Sequence, residues 1–285
     1  MKHAYLIIAH TDFILLRHLI QGLDDARNDI FIHFDKKVPY IPEVTTEWAG
    51  LYIINDREDV RWGDISVVRA EYALFAEAAK RDRYAYYHLL SGVDLPLKSQ
   101  DEIHRFFYEN NGKEFIGFSQ YDYSLEVERK VGMYHLFTGD FKERAGIVSL
   151  FKRTLRYLFI RLQYVLGVRR HQGVTFKKGT QWISVTHDFV KYLLLMRAEV
   201  MRIYTHSFCS DEIYKQTLCW NSIFRSRIYS LDDEGEGCMR EVGWVDGKIP
   251  DWTLTDYEQL RNSKALFARK FSSKYSELVN RILKN

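Results

Sequence analysis

The sequence of 285 residues lacks any run of the roughly 18 apolar residues that a membrane-spanning helix needs. The apolar run near its N-terminus is also too short for a secretory signal. The three cysteines, Cys209, Cys219 and Cys238, form no C-x-x-C pair, so the sequence predicts neither a disulfide framework nor a zinc site. We therefore expect a protein of the reducing cytoplasm that is neither secreted by this route nor membrane-spanning.

Neither charge is in strong excess, and the loop motifs of several enzyme classes are missing. The 41 basic and 38 acidic residues give a net charge of +3, which makes no case for binding nucleic acid. Because neither G-x-G-x-x-G nor G-K-[ST] occurs, kinases, ATPases and dinucleotide enzymes are disfavoured. The G-x-S-x-G and H-E-x-x-H motifs are absent as well. Any anion site must therefore be assembled locally.

The motif Asp-x-Asp, by which many nucleotide-sugar enzymes hold a divalent ion, is also missing. The nearest segment, residues 92–97, supplies only Asp94. If a nucleotide diphosphate is the leaving group, fixed cations must meet its charge, and the adjacent Arg269 and Lys270 could do so. The same pattern is also typical of a helix end with solvated charges. We expect no metal and no other cofactor.

What the sequence does contain is material for a large core. Hydrophobic residues make up 46% of the chain and charged residues only 28%, which fits one large domain or one domain with an insertion. Aromatic residues reach 15%, and part of this supply could line a groove for flat, amphipathic ligands such as sugars.

Short apolar runs alternate with amphipathic segments along the chain. Five segments predict strands, namely residues 5–9, 30–34, 51–54, 86–90 and 181–185. Helices are predicted after Asp12, over 64–80, from a capping box at 99–102, over 187–198 and from Ser210. Because strand and helix alternate, we expect an α/β fold with a mostly parallel central sheet, formed as a single domain by residues 1–285.

Polar residues follow several of the predicted strands. In parallel α/β sheets, ligands bind beyond the carboxyl ends of the strands, so these residues are the first candidates for a binding site. They are His10, Asp35, Asp56, Arg61 and Asp94. Each could equally be a solvated loop residue.

Residues 140–172 differ from the rest of the chain because bulky apolar residues are mixed there with almost exclusively basic charge. This pattern predicts a basic amphipathic helix inserted into the domain. Such a helix could lie on an anionic membrane surface through residues 141–170. A domain helix with a basic outer face explains the pattern equally well.

The acidic pair in Ser210-Asp211-Glu212 is predicted to open a helix, where backbone N–H groups can hold a carboxylate that faces a site. Capping and first-turn acids give the same pattern.

Seven blocks of the sequence, taken together and in this order, resemble one protein family. The blocks are residues 4–10, 32–37, 61–63, 89–97, 178–182, 210–212 and 266–271. The chain resembles the core-2/I-branching N-acetylglucosaminyltransferase and peptide xylosyltransferase family, including its bacterial members. The resemblance implies a nucleotide-sugar-binding domain of the glycosyltransferase-A type that transfers sugar from a UDP-sugar with inversion and without a metal.

The resemblance also implies roles for individual residues. Glu212 matches the catalytic base, Asp35 lies where the nucleoside of the donor is held, and Lys270 matches a cation on the diphosphate. Arg269 is adjacent, and Lys248 lies close to the position of a second diphosphate cation, which is an arginine in the animal members.

The remaining site residues are assigned by their blocks and by their places at strand ends. His10, Arg61 and Asp94 are placed on the donor side. Trp244 matches an aromatic acceptor-site residue, although a core tryptophan would look the same. Gln181 and Trp182 are placed on the acceptor side with it.

We therefore predict an inverting, metal-independent glycosyltransferase. Its partners would be a UDP-sugar and a saccharide acceptor, carried on a lipid in bacterial surface polysaccharide synthesis at the inner face of the plasma membrane. The donor sugar stays open among GlcNAc, galactose, glucose and xylose. One alternative is a carbohydrate-binding protein that kept the fold and lost turnover. Another, a metal-dependent nucleotide-sugar hydrolase, would need clustered carboxylates that the sequence does not show.

Overall fold

The computed structural model describes residues 1–121, 123–141 and 146–284. Its strands are β1 (His3–Ala9), β2 (Asn28–Phe34), β3 (Gly50–Ile53), β4 (Tyr86–Ser91), β5 (Leu95–Pro96), β6 (Ser184–Thr186), β7 (Arg240–Val242) and β8 (Phe267–Arg269). A five-stranded sheet has the order β3-β2-β1-β4-β6, and a three-stranded sheet has the order β5-β8-β7. In the larger sheet β1 to β4 are parallel and only β6 is antiparallel. The predicted α/β fold with a mostly parallel central sheet is therefore confirmed.

The described residues also form α-helices. They are α1 (Phe13–Leu23), α2 (Ile65–Arg81), α3 (Gln100–Glu109), α4 (Ser124–Val131), α5 (Ile147–Val165), α6 (His187–Leu195), α7 (Arg197–Tyr204), α8 (Tyr214–Trp220), α9 (Glu234–Cys238), α10 (Tyr257–Asn262) and α11 (Ser276–Leu283).

The side chains of β1 show how the core is divided. All seven residues of β1 are buried, as are all seven of β2, because a parallel sheet has helices on both of its faces. Ala4, Leu6 and Ile8 join the core beneath α2 and α6, whereas Tyr5 and Ile7 join the core beneath α1 and α11. Alternate residues of a strand point to opposite faces, so one strand supports both layers.

Two predicted helix starts are confirmed at the atomic level. The Asp12 carboxylate accepts a hydrogen bond from the backbone N–H of Leu15 at 3.2 Å. Ser99 and Glu102 form both arms of the capping box, at 3.3 Å and 3.0 Å. Each contact satisfies an N–H group that the first turn of a helix leaves without a partner.

Three predicted boundaries in the second half are wrong. The strand predicted over 181–185 is shorter and lies at Ser184–Thr186, where it pairs antiparallel with β4. The helix predicted over 187–198 is divided at Met196, a position shared by the end of α6 and the start of α7. The helix predicted from Ser210 begins only at Tyr214, because residues 210–212 form a 3₁₀ turn and Ile213 has non-helical dihedral angles.

The basic segment forms the predicted helix in part. Helix α5 spans Ile147–Val165, within the predicted range 140–172, and residues 142–145 of that range lie outside the described residues. Among residues 1–121, 123–141 and 146–284, no helix is both long enough and apolar enough to span a bilayer. The prediction of a single domain stays a prediction.

Candidate active site

The carboxyl ends of β1, β2 and β4 bring three of the predicted residues into one neighbourhood. The backbone N–H of Asp35 donates to the carbonyl of Ala9 at 2.9 Å, which places Asp35 beside His10. Asp94 is buried, and its Oδ2 accepts from the N–H of Ser91 at 2.8 Å. The packing around His10 lowers its pKa, and the Asp35 carboxylate opposes that shift.

Arg269 reaches this edge from the smaller sheet. Its Nε lies 3.7 Å from Asp94 Oδ1, and its guanidinium lies 4.4 Å from the centroid of the Trp182 ring. Neither Asp94 Oδ1 nor Arg269 Nε has a hydrogen-bond partner in the described chain. Burial raises the pKa of Asp94, and the charge of Arg269 opposes that shift. Arg269 is thus a largely buried cation, held between a carboxylate and an aromatic face.

The other predicted diphosphate and acceptor residues lie at the loops that leave the same end of the smaller sheet. In the parallel pair β7 and β8, Val242 is opposite Arg269, so Lys270 and Trp244 lie one and two residues beyond the carboxyl ends of these strands. Lys270 Nζ lies 3.4 Å from an oxygen of Asp251. Trp244 is 65% exposed, and Lys248 is exposed at the turn that follows.

Glu212 lies in the 3₁₀ turn and faces two ammonium groups. Its Oε2 is 3.7 Å from Lys130 Nζ and 3.9 Å from Lys178 Nζ. Both lysines also contact Glu126, at 2.7 Å and 3.1 Å. The Glu212 carbonyl accepts from the N–H of Gly179 at 2.9 Å, which fixes the turn against the segment that carries Lys178. The Glu212 side chain is 39% exposed, so an incoming hydroxyl can reach its carboxylate.

The surroundings of Glu212 favour a proton acceptor. Burial is the largest cause of the raised pKa of Glu212, and the charge of Asp211 raises that pKa further. The charges of Lys130 and Lys178 lower it. Burial also raises the pKa of Asp211, to about 6, with a contribution from Glu71. A general base works best when its pKa lies near the working pH, so an upward shift suits Glu212 to that role.

A buried ion pair lies directly beneath this turn. Lys215 Nζ donates to Glu71 Oε2 at 2.6 Å and to the carbonyl of Asp211 at 3.0 Å. Glu71 also accepts from the Tyr214 hydroxyl at 2.6 Å and from Gln181 Nε2 at 2.9 Å. Glu71 and Lys215 are fully buried. This network ties α2 to the residue next to Glu212.

Arg61 is connected to Asp35 by a chain of ion pairs, because Lys37 Nζ lies 2.8 Å from Asp35 Oδ2 and 2.9 Å from Asp59 Oδ1. Arg61 pairs with Asp59 at 2.9 Å and with Asp140 at 3.1 Å, at the start of the basic segment. Asp56 is exposed after β3. The donor role predicted for Arg61 stays a prediction, as do the acceptor roles of Gln181 and Trp182. The contacts place those two beneath the site, against Glu71 and Arg269.

Sequence reasoning missed several charged residues of this region, among them Lys215. Lys178 belongs to one of the matching blocks but received no role, and Glu126, Lys130 and Glu71 were not singled out. A lysine directly before a glycine-threonine pair gives little warning of its neighbours, because Glu126 and Glu212 are distant in sequence. In the described residues, no group of three or more His, Cys, Asp or Glu side chains is arranged to hold a metal ion.

The chain is similar to known sugar-transferring proteins. Xylosyltransferase 2 of Homo sapiens is 22% identical over 307 residues, which cover 99% of this chain and 33% of that protein. A beta-1,3-galactosyl-O-glycosyl-glycoprotein beta-1,6-N-acetylglucosaminyltransferase 4 of Mus musculus is 27% identical over 106 residues, 35% of this chain and 23% of that protein. The crystal structure of apo mouse xyloside xylosyltransferase 1 covers 93% of this chain and 97% of that chain, with a TM-score of 0.36 and 8% identity.

The chain spans about a third of the length of the xylosyltransferases it matches. The model of the core-2/I-branching enzyme family matches residues 3–253, a range that includes Asp35, Glu212 and Trp244 and ends before Arg269. Since this range is most of the chain, the resemblance found in the sequence is confirmed, and the protein belongs to the core-2/I-branching enzyme family.

Proposed function

We propose that this protein is an inverting glycosyltransferase that moves a sugar from a UDP-sugar to a hydroxyl of a saccharide. The observation that carries the proposal is the Glu212 carboxylate, partly exposed and with a raised pKa, on a turn fixed by buried contacts. The printed names of the relatives, xylosyltransferase and N-acetylglucosaminyltransferase, support the transfer of a sugar.

The donor would lie across the carboxyl ends of the parallel strands. In this proposal Asp35, buried at the end of β2, would hold the nucleoside, and His10 lies beside it. Arg269 and Lys270, with Lys248 on the neighbouring loop, would meet the charge that grows on the departing diphosphate. Arg269 suits this role because Asp94 and Trp182 hold it in place before any ligand arrives.

The acceptor would approach from the side of Glu212. Glu212 takes the proton from the acceptor hydroxyl while that oxygen attacks the anomeric carbon and UDP departs, in one displacement that inverts the stereochemistry. The exposed ring of Trp244 is a platform on which the flat face of a sugar can stack.

We place this reaction in bacterial surface polysaccharide synthesis, on an acceptor carried by a lipid at the cytoplasmic side of the plasma membrane. The support is the chemistry of helix α5, whose surface combines apolar and basic side chains. The three cysteines, buried and unpaired, are compatible with a reducing compartment.

The proposed reaction needs no divalent ion, because protein cations take that role at the diphosphate. We expect UDP release from one of UDP-GlcNAc, UDP-galactose, UDP-glucose and UDP-xylose to proceed in EDTA at the rate seen with added Mn²⁺. The measurement is a coupled assay for UDP with a saccharide acceptor, with and without EDTA. Release that appears only when Mn²⁺ is added would show that the cationic site does not replace a metal.

We expect Lys178 to influence the acidic pH at which kcat/KM falls. Because Lys178 lowers the pKa of Glu212, the Lys178→Met variant should raise it, so more Glu212 is protonated at low pH. The acid limb of the kcat/KM profile should then move to higher pH. The matched control is Lys177→Met, whose ammonium lies over the Trp220 ring instead. An acid limb that stays in place in Lys178→Met would contradict Glu212 as the titrating base.

A further inference from the structure

Helix α5 presents an apolar stripe to solvent, while its inward side combines the partly buried apolar residues Leu155, Phe159 and Ile160 with polar ones. Ile147, Phe151, Leu158, Leu162 and Val165 follow one another at helical spacing and are between 53% and 90% exposed. A surface helix of a globular protein normally has the opposite orientation, because burying the apolar stripe is what holds it in place.

The inward side of α5 also makes polar contacts with the protein. Lys152 Nζ lies 2.8 Å from Asp140 Oδ2. Gln163 is 4% exposed and bonds both the N–H and the carbonyl of Tyr134, at 2.8 Å and 2.9 Å. These contacts fix the orientation of α5 on the protein, so its apolar stripe is exposed in the folded state.

The charge around this face has one sign. Residues 146–170 contain six basic residues, Lys152, Arg153, Arg156, Arg161, Arg169 and Arg170, and no Asp or Glu. Arg153 and Arg161 are exposed and border the apolar stripe. An apolar stripe bordered by arginines is complementary to a bilayer with anionic headgroups, where apolar side chains enter the acyl boundary and arginines meet phosphates.

The charge also argues against a second copy of the chain as the occupant. In a two-fold symmetric dimer the same patch of each copy would meet, so Arg153 and Arg161 would lie near the same arginines of the other copy. Residues 146–170 contain no acid to compensate this repulsion. We therefore infer that the outward face of α5 is a docking surface for an anionic lipid bilayer, on which the helix lies parallel to the membrane plane.

The docking surface is connected to the proposed base. Gln163 fixes Tyr134, and the next residue, His135, donates its N–H to the carbonyl of His206 at 2.9 Å. Phe208 in turn donates its N–H to the carbonyl of Lys130 at 3.0 Å, and Lys130 lies beside Glu212. Through these contacts docking would fix the orientation of the Glu212 turn relative to the bilayer, a step that rests on the proposed transfer to a saccharide carried by a lipid.

Flotation of the full chain with vesicles tests this inference without donor or acceptor, so its failure would leave the transferase proposal untouched. The vesicles contain either phosphatidylcholine alone or equal parts of phosphatidylcholine and phosphatidylglycerol. We expect strong flotation with the anionic vesicles and weak flotation with the neutral ones. Protein that stays at the bottom of the gradient with anionic vesicles overturns the inference.

Two double variants separate the apolar and the electrostatic contributions. Phe151→Ser with Leu158→Ser should weaken the partition coefficient on anionic vesicles at least tenfold, since both side chains enter the acyl boundary. Arg153→Gln with Arg161→Gln should weaken it by about thirtyfold, because each basic residue near such a surface is worth a factor of about five.

A matched control removes apolar surface elsewhere. Leu195→Ser with Ile223→Ser changes two side chains that are 79% and 77% exposed outside α5, and should float like the unchanged protein. All changed residues are exposed, so thermal unfolding should show that each variant is folded. The inference is overturned if the Phe151→Ser/Leu158→Ser variant floats as well as the unchanged protein. It is also overturned if light scattering shows that the unchanged protein is a dimer and that only this variant is monomeric.

Discussion

The Glu212→Gln variant should release UDP from the preferred donor between about a hundredfold and ten thousandfold more slowly than the unchanged protein, with little change in UDP binding. The amide keeps the size of the side chain but cannot take the proton of the acceptor hydroxyl. Because the proposed site puts Glu212 on the acceptor side and assigns the diphosphate to other residues, the loss should fall on kcat. The measurement is UDP release at saturating donor and acceptor, together with calorimetric titration of UDP.

Glu234 offers the control for this variant. Its pKa is also raised, by burial and by the charge of Glu212, so it is a second carboxyl group of the same neighbourhood. Glu234→Gln should keep most of the activity. A loss confined to Glu234→Gln would move the base to that residue, whereas UDP binding without turnover in the unchanged protein would favour the carbohydrate-binding alternative.

The Lys215→Met variant should lower the free energy of unfolding by about 3 to 5 kcal/mol, because it leaves the Glu71 carboxylate buried without its cation. Urea unfolding followed by circular dichroism measures the loss. The double variant Glu71→Met with Lys215→Met should lose less than Lys215→Met alone, since it removes both charges and keeps apolar volume in their place.

A surface pair provides the comparison for Lys215. Arg281 and Glu277 lie one turn apart on α11 at 2.7 Å, with side chains that are 50% and 63% exposed. Arg281→Gln should cost less than about 1 kcal/mol, because water screens an exposed pair. If Lys215→Met were no more destabilising than Arg281→Gln, the buried network could not be what holds the turn that carries Glu212.

Local patterns predicted the first half of the fold well. The strand at His3–Ala9 and the capping box of Ser99 and Glu102 depend on neighbours within a few residues, so the sequence reveals them directly. The helix predicted from Ser210 was wrong. Residues 210–212 form a 3₁₀ turn in which the carbonyl of Asp211 accepts from Lys215, and Lys215 is also paired with Glu71 on a distant helix. A prediction made from the acidic pair and its sequence neighbours cannot include the contact with Glu71.

The candidate site was predicted residue by residue, but its contacts were not. Family resemblance pointed to Glu212 and Arg269, while the lysines beside Glu212 and the Trp182 ring against Arg269 depend on how the helices fold back over the sheet.

The sequence by itself determined the α/β class, the strand ends at which polar residues gather and the basic amphipathic character of residues 147–165, since each follows from periodicity and composition along a short stretch of chain. Only the tertiary structure decided which side of α5 faces outward. A hydrophobic stripe normally turns inward, whereas here the stripe that includes Phe151 and Leu158 faces solvent, and Lys152 and Gln163 make polar contacts with the protein on the other side. Orientation depends on contacts between residues far apart in the chain, and a linear pattern does not contain them.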